Sequence, residues 1–280
     1  MHIKQKLIAG MIAAGLAAPA FATIQDSSLG DGELFWTIID PVGERSYTRD
    51  LGVSLSQFLT GVASGQSWSV GGDANLTSFI SGTAAGNVGS LVWNLAAMDG
   101  SGQNRYLTTG ATVPVASGAT VTPGVVGNLA FSGTILRSFN DNGDIYISSV
   151  NGLTSLAPNF STHGSAVATN GSNLATVADN EAYGGAATWG TNWGGKAVGT
   201  AAFDNGVAVV GGSTPLWLLQ QNGTSTGTAQ FIQLAFNGTP YEAKWTGTQL
   251  SIVAVPEPGT YALMAMGLVG VGVLARRRKS

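Results

Sequence analysis

The chain has no cysteine and little charge. Without cysteine it can form no disulfide, use no cysteine nucleophile or Cys-ligated zinc, and accept no lipoprotein-type cysteine anchor. Charged residues make up 10% of the 280 residues, against about 25% in an average soluble domain. Much of its polar character therefore comes from Ser, Thr and Asn, alongside 41 glycines. A body of this length can be stabilised by its hydrophobic core alone.

Positive charge is scarce away from the two ends of the chain. Of the 12 basic residues, Lys4 and Lys6 lie near the start and four more form the run 276–279. The segment between them keeps six scattered basic residues and fourteen of the 15 acidic ones, a formal charge of −8. A nucleic-acid-binding surface needs clustered Lys and Arg side chains that neutralise phosphates. The sequence therefore excludes nucleic acid as a partner.

The first 22 residues have the organisation of a secretory signal peptide. Two lysines precede an apolar segment, residues 7–18, which is too short to span a membrane comfortably. Ala20 and Ala22 flank Phe21 in the small-x-small pattern that signal peptidase cleaves. We expect cleavage after Ala22 and export of the body. The alternative is an uncleaved N-terminal anchor.

Residues 255–280 combine three features in a fixed order. Val255 is followed by Pro256-Glu257-Pro258, where two prolines hold the backbone extended and prevent a helix. Residues 261–275 are continuously apolar and predict a transmembrane helix. Such a helix covers only about 22 Å of a roughly 30 Å hydrocarbon core, so flanking residues must complete the span. Four cations follow and are expected to remain cytoplasmic: Arg276, Arg277, Arg278 and Lys279.

This tail resembles the PEP-CTERM sorting signal of Gram-negative bacteria. The resemblance covers Val255 to Ser280 and rests on the Pro-Glu-Pro motif, the apolar segment with small residues and the basic run. It implies recognition by exosortase, a transpeptidase-like membrane enzyme, in cells that make exopolysaccharide. The expected route is an inner-membrane intermediate, then the outer surface or extracellular matrix. An ordinary C-terminal membrane anchor is the alternative.

Residues 23–254 are expected to form one exported, mainly β domain. The expected architecture is a single antiparallel β-sandwich or jelly roll with one or two short helices. Six Asn-Gly pairs favour frequent tight reversals. Residues 162–192 are rich in small residues and are expected to be either a short helix or an irregular insertion. A division into two domains near residues 110–128 is the alternative organisation.

Local patterns place several elements within this domain. Ser54 is the candidate N-cap of a short helix that extends to Val62. Runs rich in β-branched and aromatic residues predict two hairpins and four C-terminal strands. These predicted strands are 34–39 with 45–51, 90–97 with 104–109, and 216–220, 230–236, 241–245 and 249–255.

The sequence offers no convincing catalytic site. Residues 223–227 match G-x-S-x-G, but that mechanism needs a histidine after the serine, and none follows Ser225. His163 is the only histidine of the body and lies in sequence of low complexity. A secreted hydrolase is therefore the weakest of three functional interpretations.

The segment Asn140 to Asp144 is dense in oxygen ligands. Asp141 and Asp144 are candidate calcium ligands, although the EF-hand spacing and its twelfth-position Glu are absent. Asn142-Gly143 alone predicts a type I′ turn between Phe139 and Ile145, which is the simpler interpretation. No other metal or cofactor is expected.

Two tryptophans suggest a different function for the body. Trp189 and Trp193 lie among small residues, where exposed indole rings could stack on sugars while Asn and Thr bind hydroxyl groups. Burial at one end of the domain is the alternative. The leading interpretation is a non-enzymatic surface or matrix protein associated with exopolysaccharide or biofilm; a carbohydrate-binding module is the second. Four other tryptophans are expected in the core or on sheet faces: Trp36, Trp93, Trp217 and Trp245.

Overall fold

A computed structural model describes most of the body and little of the two ends. The predicted signal peptide lies outside the described residues, as does the predicted transmembrane segment except Met266, which is helical. Among the residues with described structure, no helix is both long enough and apolar enough to cross a membrane. The described residues are 24–61, 65–100, 104–109, 115–116, 129–153, 171–185, 196–198, 201–203, 212–221, 228–236, 239–255 and 266.

These residues form fifteen strands and three α-helices, together with short 3₁₀ turns. The helices are α1 (Leu55–Gly61), α2 (Ala74–Gly82) and α3 (Gly133–Asn151). The predicted mainly β composition is confirmed. The strands are β1 (Glu33–Asp40), β2 (Arg45–Ser54), β3 (Gln66–Ser69), β4 (Val92–Asp99), β5 (Arg105–Thr109), β6 (Val115–Ala116), β7 (Leu129–Ser132), β8 (Ser172–Thr176), β9 (Lys196–Val198), β10 (Ala201–Phe203), β11 (Ser213–Gln221), β12 (Thr228–Gln233), β13 (Ala235–Phe236), β14 (Thr239–Trp245) and β15 (Gln249–Ala254).

Nine strands follow one hydrogen-bonded path in the order β3-β15-β14-β11-β5-β4-β1-β2-β8. All its neighbouring pairs are antiparallel. β12 and β7 extend from β11, β13 pairs with β14, and β6, β10 and β9 form a separate small sheet. The main sheet is therefore one continuous curled sheet, in place of the two facing sheets of the predicted sandwich.

The curl brings distant strands of this path together. Three strands lie between β1 and β14, yet the ring centroids of Trp36 and Trp245 are 5.0 Å apart. Near the ends of the path, the Trp68 indole Nε1 donates to the Leu51 carbonyl oxygen at 3.1 Å and so connects β3 with β2. The face that carries Trp36 is consequently the inner one. It encloses the larger hydrophobic core, to which α1 and α2 contribute Phe58 and Phe79.

Helix α3 covers the opposite, outer face of the sheet. Its Tyr146 ring lies 5.9 Å from the Phe35 ring, and its hydroxyl is within 3.2 Å of the Thr37 hydroxyl. Complete burial raises the pKa of Tyr146 to about 12, although hydrogen bonds from Thr37 and Thr48 oppose the rise. Strand β1 is thus buried on both faces, which explains its nearly continuous apolar sequence.

Helix α3 also shows that the predicted type I′ turn at Asn142-Gly143 is wrong. The pair lies inside a helix of 19 residues. Buried positions recur along this helix every three or four residues, the spacing of one helix face. Burial of that face against the sheet outweighs the roughly 1 kcal/mol that a glycine costs inside a helix. Among the side chains described on this helix, the buried positions are Leu136, Asn140, Gly143, Tyr146, Ile147 and Val150.

Other local predictions can be compared with the described residues. The hairpins β1-β2 and β4-β5 are confirmed, as are the four C-terminal strands. Ser54 caps α1: the Gln57 N–H donates to Ser54 Oγ at 3.3 Å, and the Ser54 N–H donates to Gln57 Oε1 at 3.1 Å. Strand β8 was not predicted. It lies within residues 162–192, which were expected to be helical or irregular.

Candidate functional site

The C-terminal tail leaves the body directly from a strand of the main sheet. β15 lies between β14 and β3, and its Leu250 and Ile252 are buried in the inner core. Ala254 is paired with Tyr241, and the Val255 N–H donates to the Pro240 carbonyl oxygen at 2.8 Å. The next residue is Pro256, which has no N–H to continue the ladder. Regular sheet bonding thus ends immediately before the Pro-Glu-Pro motif.

The outer face of the sheet at this exit is partly exposed to solvent. On this face, Val253 of β15 and Lys244 of β14 are exposed, and Glu242 of β14 is half-buried. Glu242 pairs with Val253 and accepts a hydrogen bond from the Ser213 hydroxyl at 2.5 Å. This alternation of core-facing and solvent-facing residues is typical of a sheet covered on one side.

Most of the other predicted site residues lie outside the described residues. This applies to the signal-cleavage pair, the two candidate sugar-stacking tryptophans, the Pro-Glu-Pro motif and the basic run. Their roles stay predictions. The residues concerned are Ala20, Ala22, Trp189, Trp193, Pro256, Glu257, Pro258, Arg276, Arg277, Arg278 and Lys279; His163 and Ser225 also lie outside.

The two calcium candidates lie on α3, not in a loop. Asp141 is exposed, whereas the Asp144 carboxylate accepts hydrogen bonds from Ser27, at 2.8 Å from the backbone N and 2.6 Å from Oγ. Burial raises the pKa of Asp144; the Ser27 hydrogen bonds oppose this rise, and the charges of Asp26 and Asp141 add to it.

Calcium binding by these residues stays a prediction. Within the described part of the chain, no group of three or more His, Cys, Asp or Glu side chains is arranged to hold a metal ion. Binding at Asp144 would compete with its bonds to Ser27. A calcium-dependent rise in melting temperature that is lost in Asp144→Asn would support the site.

The inner core contains a polar network that the sequence analysis did not predict. The Tyr47 hydroxyl donates to Asp73 Oδ2 at 2.7 Å, and Asp73 Oδ1 accepts from the N–H groups of Asn75 and Leu76 at 2.8 and 3.1 Å. Arg49 Nη1 lies 3.8 Å from Asp73 Oδ2. Burial raises the pKa of Tyr47 well above its usual value, and the charge of Asp73 adds to this effect. Asp73 at the start of α2 is an N-cap pattern that could have been recognised from the sequence.

Other described arginines also bind carboxylates that support the fold. Arg105 Nε donates to Asp99 at 2.8 Å, and its Nη2 lies 3.8 Å from Asp31. Burial alone would raise the pKa of Asp31, but hydrogen bonds from Ser54 and Ser56 and the charge of Arg105 together hold it below its usual value. These contacts connect the segment before β1 to β4, β5 and the start of α1.

Comparison with known proteins identifies the tail and nothing else in the chain. No curated protein and no solved structure matches it. A family model described as the PEP-CTERM protein-sorting motif matches residues 254–279, which begin at the last residue of β15. The predicted resemblance is confirmed, and the motif implies an exported Gram-negative bacterial protein that exosortase-type machinery processes at the membrane. The chain is therefore identified by its C-terminus, as a protein with a PEP-CTERM sorting motif.

Proposed function

We propose that this chain is a non-enzymatic surface or extracellular-matrix protein associated with exopolysaccharide or biofilm material. Signal peptidase releases it after Ala22, the tail holds it at the inner membrane, and exosortase then acts at or near Pro256-Glu257-Pro258. The observation that carries the proposal is the position of the motif, which starts where the hydrogen-bonded sheet ends. Processing after Val255 removes the tail and leaves β15 in place.

The length of the junction supports processing close to a folded body. Six residue steps separate Val255 from Tyr261, the first residue of the apolar segment. Even fully extended, they reach only about 20 Å. The enzyme must therefore act within that distance of the sheet. Cleavage before β15 would instead remove Leu250 and Ile252 from the inner core, so we expect the cut on the C-terminal side of Val255.

A structural role for the body is supported by the bonding of its acidic side chains. Asp73 caps a helix, and Asp99 binds Arg105. Asp40 accepts bonds from the N–H groups of Val42 and Gly43 in the β1-β2 turn. These contacts give each of these three carboxylates a role in stabilising the fold. A body whose sequence is rich in Ser, Thr and Asn suits contact with polysaccharide hydroxyls.

Deletion of residues 256–280 tests the sorting part of the proposal. The full-length protein should be found at the cell surface or in the matrix, whereas the deleted form should stay in the periplasm. Its body should remain equally stable, because β15 and the bond between Val255 and Pro240 are kept. Unchanged surface delivery of the deleted form would refute the sorting role.

A double substitution of Pro256→Ala and Pro258→Ala separates recognition from simple anchoring. It preserves the apolar segment and the basic run, so we expect a membrane-bound protein with an intact tail. Intact mass of the wild-type extracellular form should show a start at Thr23 and an end between residues 255 and 258. A wild-type mass that continues to Ser280, found only in membranes, would mean that the tail is a permanent anchor.

A further inference from the structure

Four polar atoms of the inner core have no hydrogen-bond partner among the described residues: Nε1 of Trp36, Nε1 of Trp245, Nε of Arg49 and Oγ1 of Thr214. Both tryptophans are at most 1% exposed, and Thr214 is 3% exposed. Tyr and Trp polar groups usually find a partner when buried, and unpaired donors in protein cores are rare. Four such atoms in one core call for a physical explanation.

These atoms belong to one face of the curled sheet. Trp36 is the register partner of Arg49, and side chains directly opposite each other in an antiparallel pair lie on the same face. Thr214 is the partner of Ala243, which precedes Trp245 by two residues on β14 and therefore shares its face. The contact between the Trp36 and Trp245 rings joins these two parts of the core.

The chemistry of the four atoms indicates a small neutral acceptor. Three of them can only donate, and the Thr214 hydroxyl can either donate or accept. The nearly complete burial of both indole rings excludes a large ligand. An anion is disfavoured because the Asp73 carboxylate lies 3.8 Å from Arg49 Nη1, so its negative charge faces the same region. Water is small and neutral, and buried waters typically make about three hydrogen bonds to otherwise unpaired polar groups.

We propose that the inner core binds one or two long-lived water molecules, which accept hydrogen bonds from Trp36, Trp245 and Arg49 and bridge them to the Thr214 hydroxyl. This internal site is separate from the Tyr47–Asp73 bonds, which are already formed. It also does not depend on sorting through the tail. Its position between β1-β2 and β11-β14 connects distant strands across the interior of the sheet.

Water-to-protein NMR cross-relaxation tests this site in the ¹⁵N-labelled full-length protein in mild detergent. The indole Hε1 protons of Trp36 and Trp245 should show cross-peaks to water with the sign of a long-lived bound molecule. Trp93 and Trp217 are equally buried and their indole nitrogens are not among the unpaired atoms, so they serve as internal controls. Absence of water cross-peaks at Trp36 and Trp245, or equal peaks at the controls, would overturn the proposal.

Thr214 variants test whether its hydroxyl completes the site. Thr214→Val keeps the shape of the side chain and removes the hydroxyl, so the water cross-peak of Trp245 should be lost or reduced at least twofold. Thr214→Ser keeps the hydroxyl and should retain the peak. An unchanged peak in Thr214→Val would refute the bridge. A strongly upfield-shifted indole proton without a water peak would instead indicate an N–H pointing at the neighbouring ring, and would overturn the site.

Discussion

Replacement of Asp73 by alanine should reduce the free energy of unfolding by about 3 kcal/mol. The substitution removes the N-cap of α2, where the carboxylate accepts from the Asn75 and Leu76 N–H groups; loss of such a cap costs about 1 kcal/mol. It also leaves the buried Tyr47 hydroxyl without its 2.7 Å acceptor, which costs about 1–3 kcal/mol. Arg49 adds little, since its partly exposed side chain can reach water.

Urea unfolding of the full-length protein in mild detergent, followed by tryptophan fluorescence, measures this loss. Asp26→Ala is the matched control, because Asp26 accepts exposed hydrogen bonds from Ser28 at the start of a 3₁₀ turn of three residues. We expect it to cost less than about 1 kcal/mol. Asp73→Asn keeps an oxygen for the cap and should fall between the two. If Asp73→Ala and Asp26→Ala differed by less than about 1 kcal/mol, the inner network would not stabilise the fold as argued.

Two further substitutions test local features of the main sheet. Burial raises the pKa of Asp50 from 3.8 to about 6; the Gly52 hydrogen bond opposes this rise and the charge of Glu33 adds to it. The folded state holds the Asp50 proton more tightly than the unfolded state does. The protonated carboxyl therefore adds fully to the free energy of unfolding below about pH 4, and this contribution is lost as the pH rises through 6. Asp50→Asn should therefore increase the free energy of unfolding by about 1–2 kcal/mol at pH 8 and hardly at pH 4. Urea unfolding that gives the same increase at both pH values would contradict this. A Cβ on Gly184 would lie 2.9 Å from Thr37 Cγ2 and 3.1 Å from Ile39 Cγ1, whereas one on Gly72 meets nothing within 4 Å. Gly184→Ala should therefore lower the free energy of unfolding by about 1–3 kcal/mol, and Gly72→Ala by much less. Equal melting temperatures of the two variants would refute the close packing at Gly184.

Strands with strong local patterns were predictable from the sequence. Residues 34–39 are mostly apolar and aromatic, and turn-forming residues come directly after them. The next strand-like segment is therefore the natural hairpin partner, and this predicts the pairing of β1 with β2. The four tryptophans expected in the core or on sheet faces were also predicted correctly, since each side chain is at most 1% exposed. The curl of the sheet was not predictable, because it depends on which strands pair across long sequence separations. β11 (Ser213–Gln221), for example, pairs with the distant strand β5 (Arg105–Thr109).

Helix α3 was missed because its local and tertiary signals conflict. Asn140, Asp141, Asn142 and Gly143 favour turns when considered alone. The signal that could have identified the helix is the spacing of Leu136, Tyr146, Ile147 and Val150, all of which are buried. That pattern includes the polar Asn140, which is buried and donates to the Asp99 carbonyl oxygen at 3.3 Å. A polar residue on the buried face interrupts the hydrophobic period that sequence analysis relies on.

Three of the few arginines of the body form ion pairs that stabilise the fold. Arg45, Arg49 and Arg105 each lie within 4 Å of an aspartate, and each of these partners is at most 2% exposed. Arg45 also donates to the Phe79 carbonyl oxygen at 2.8 Å and so attaches α2 to β2. These three cations therefore hold the sheet and its short elements together, and they add little to an ionic outer surface.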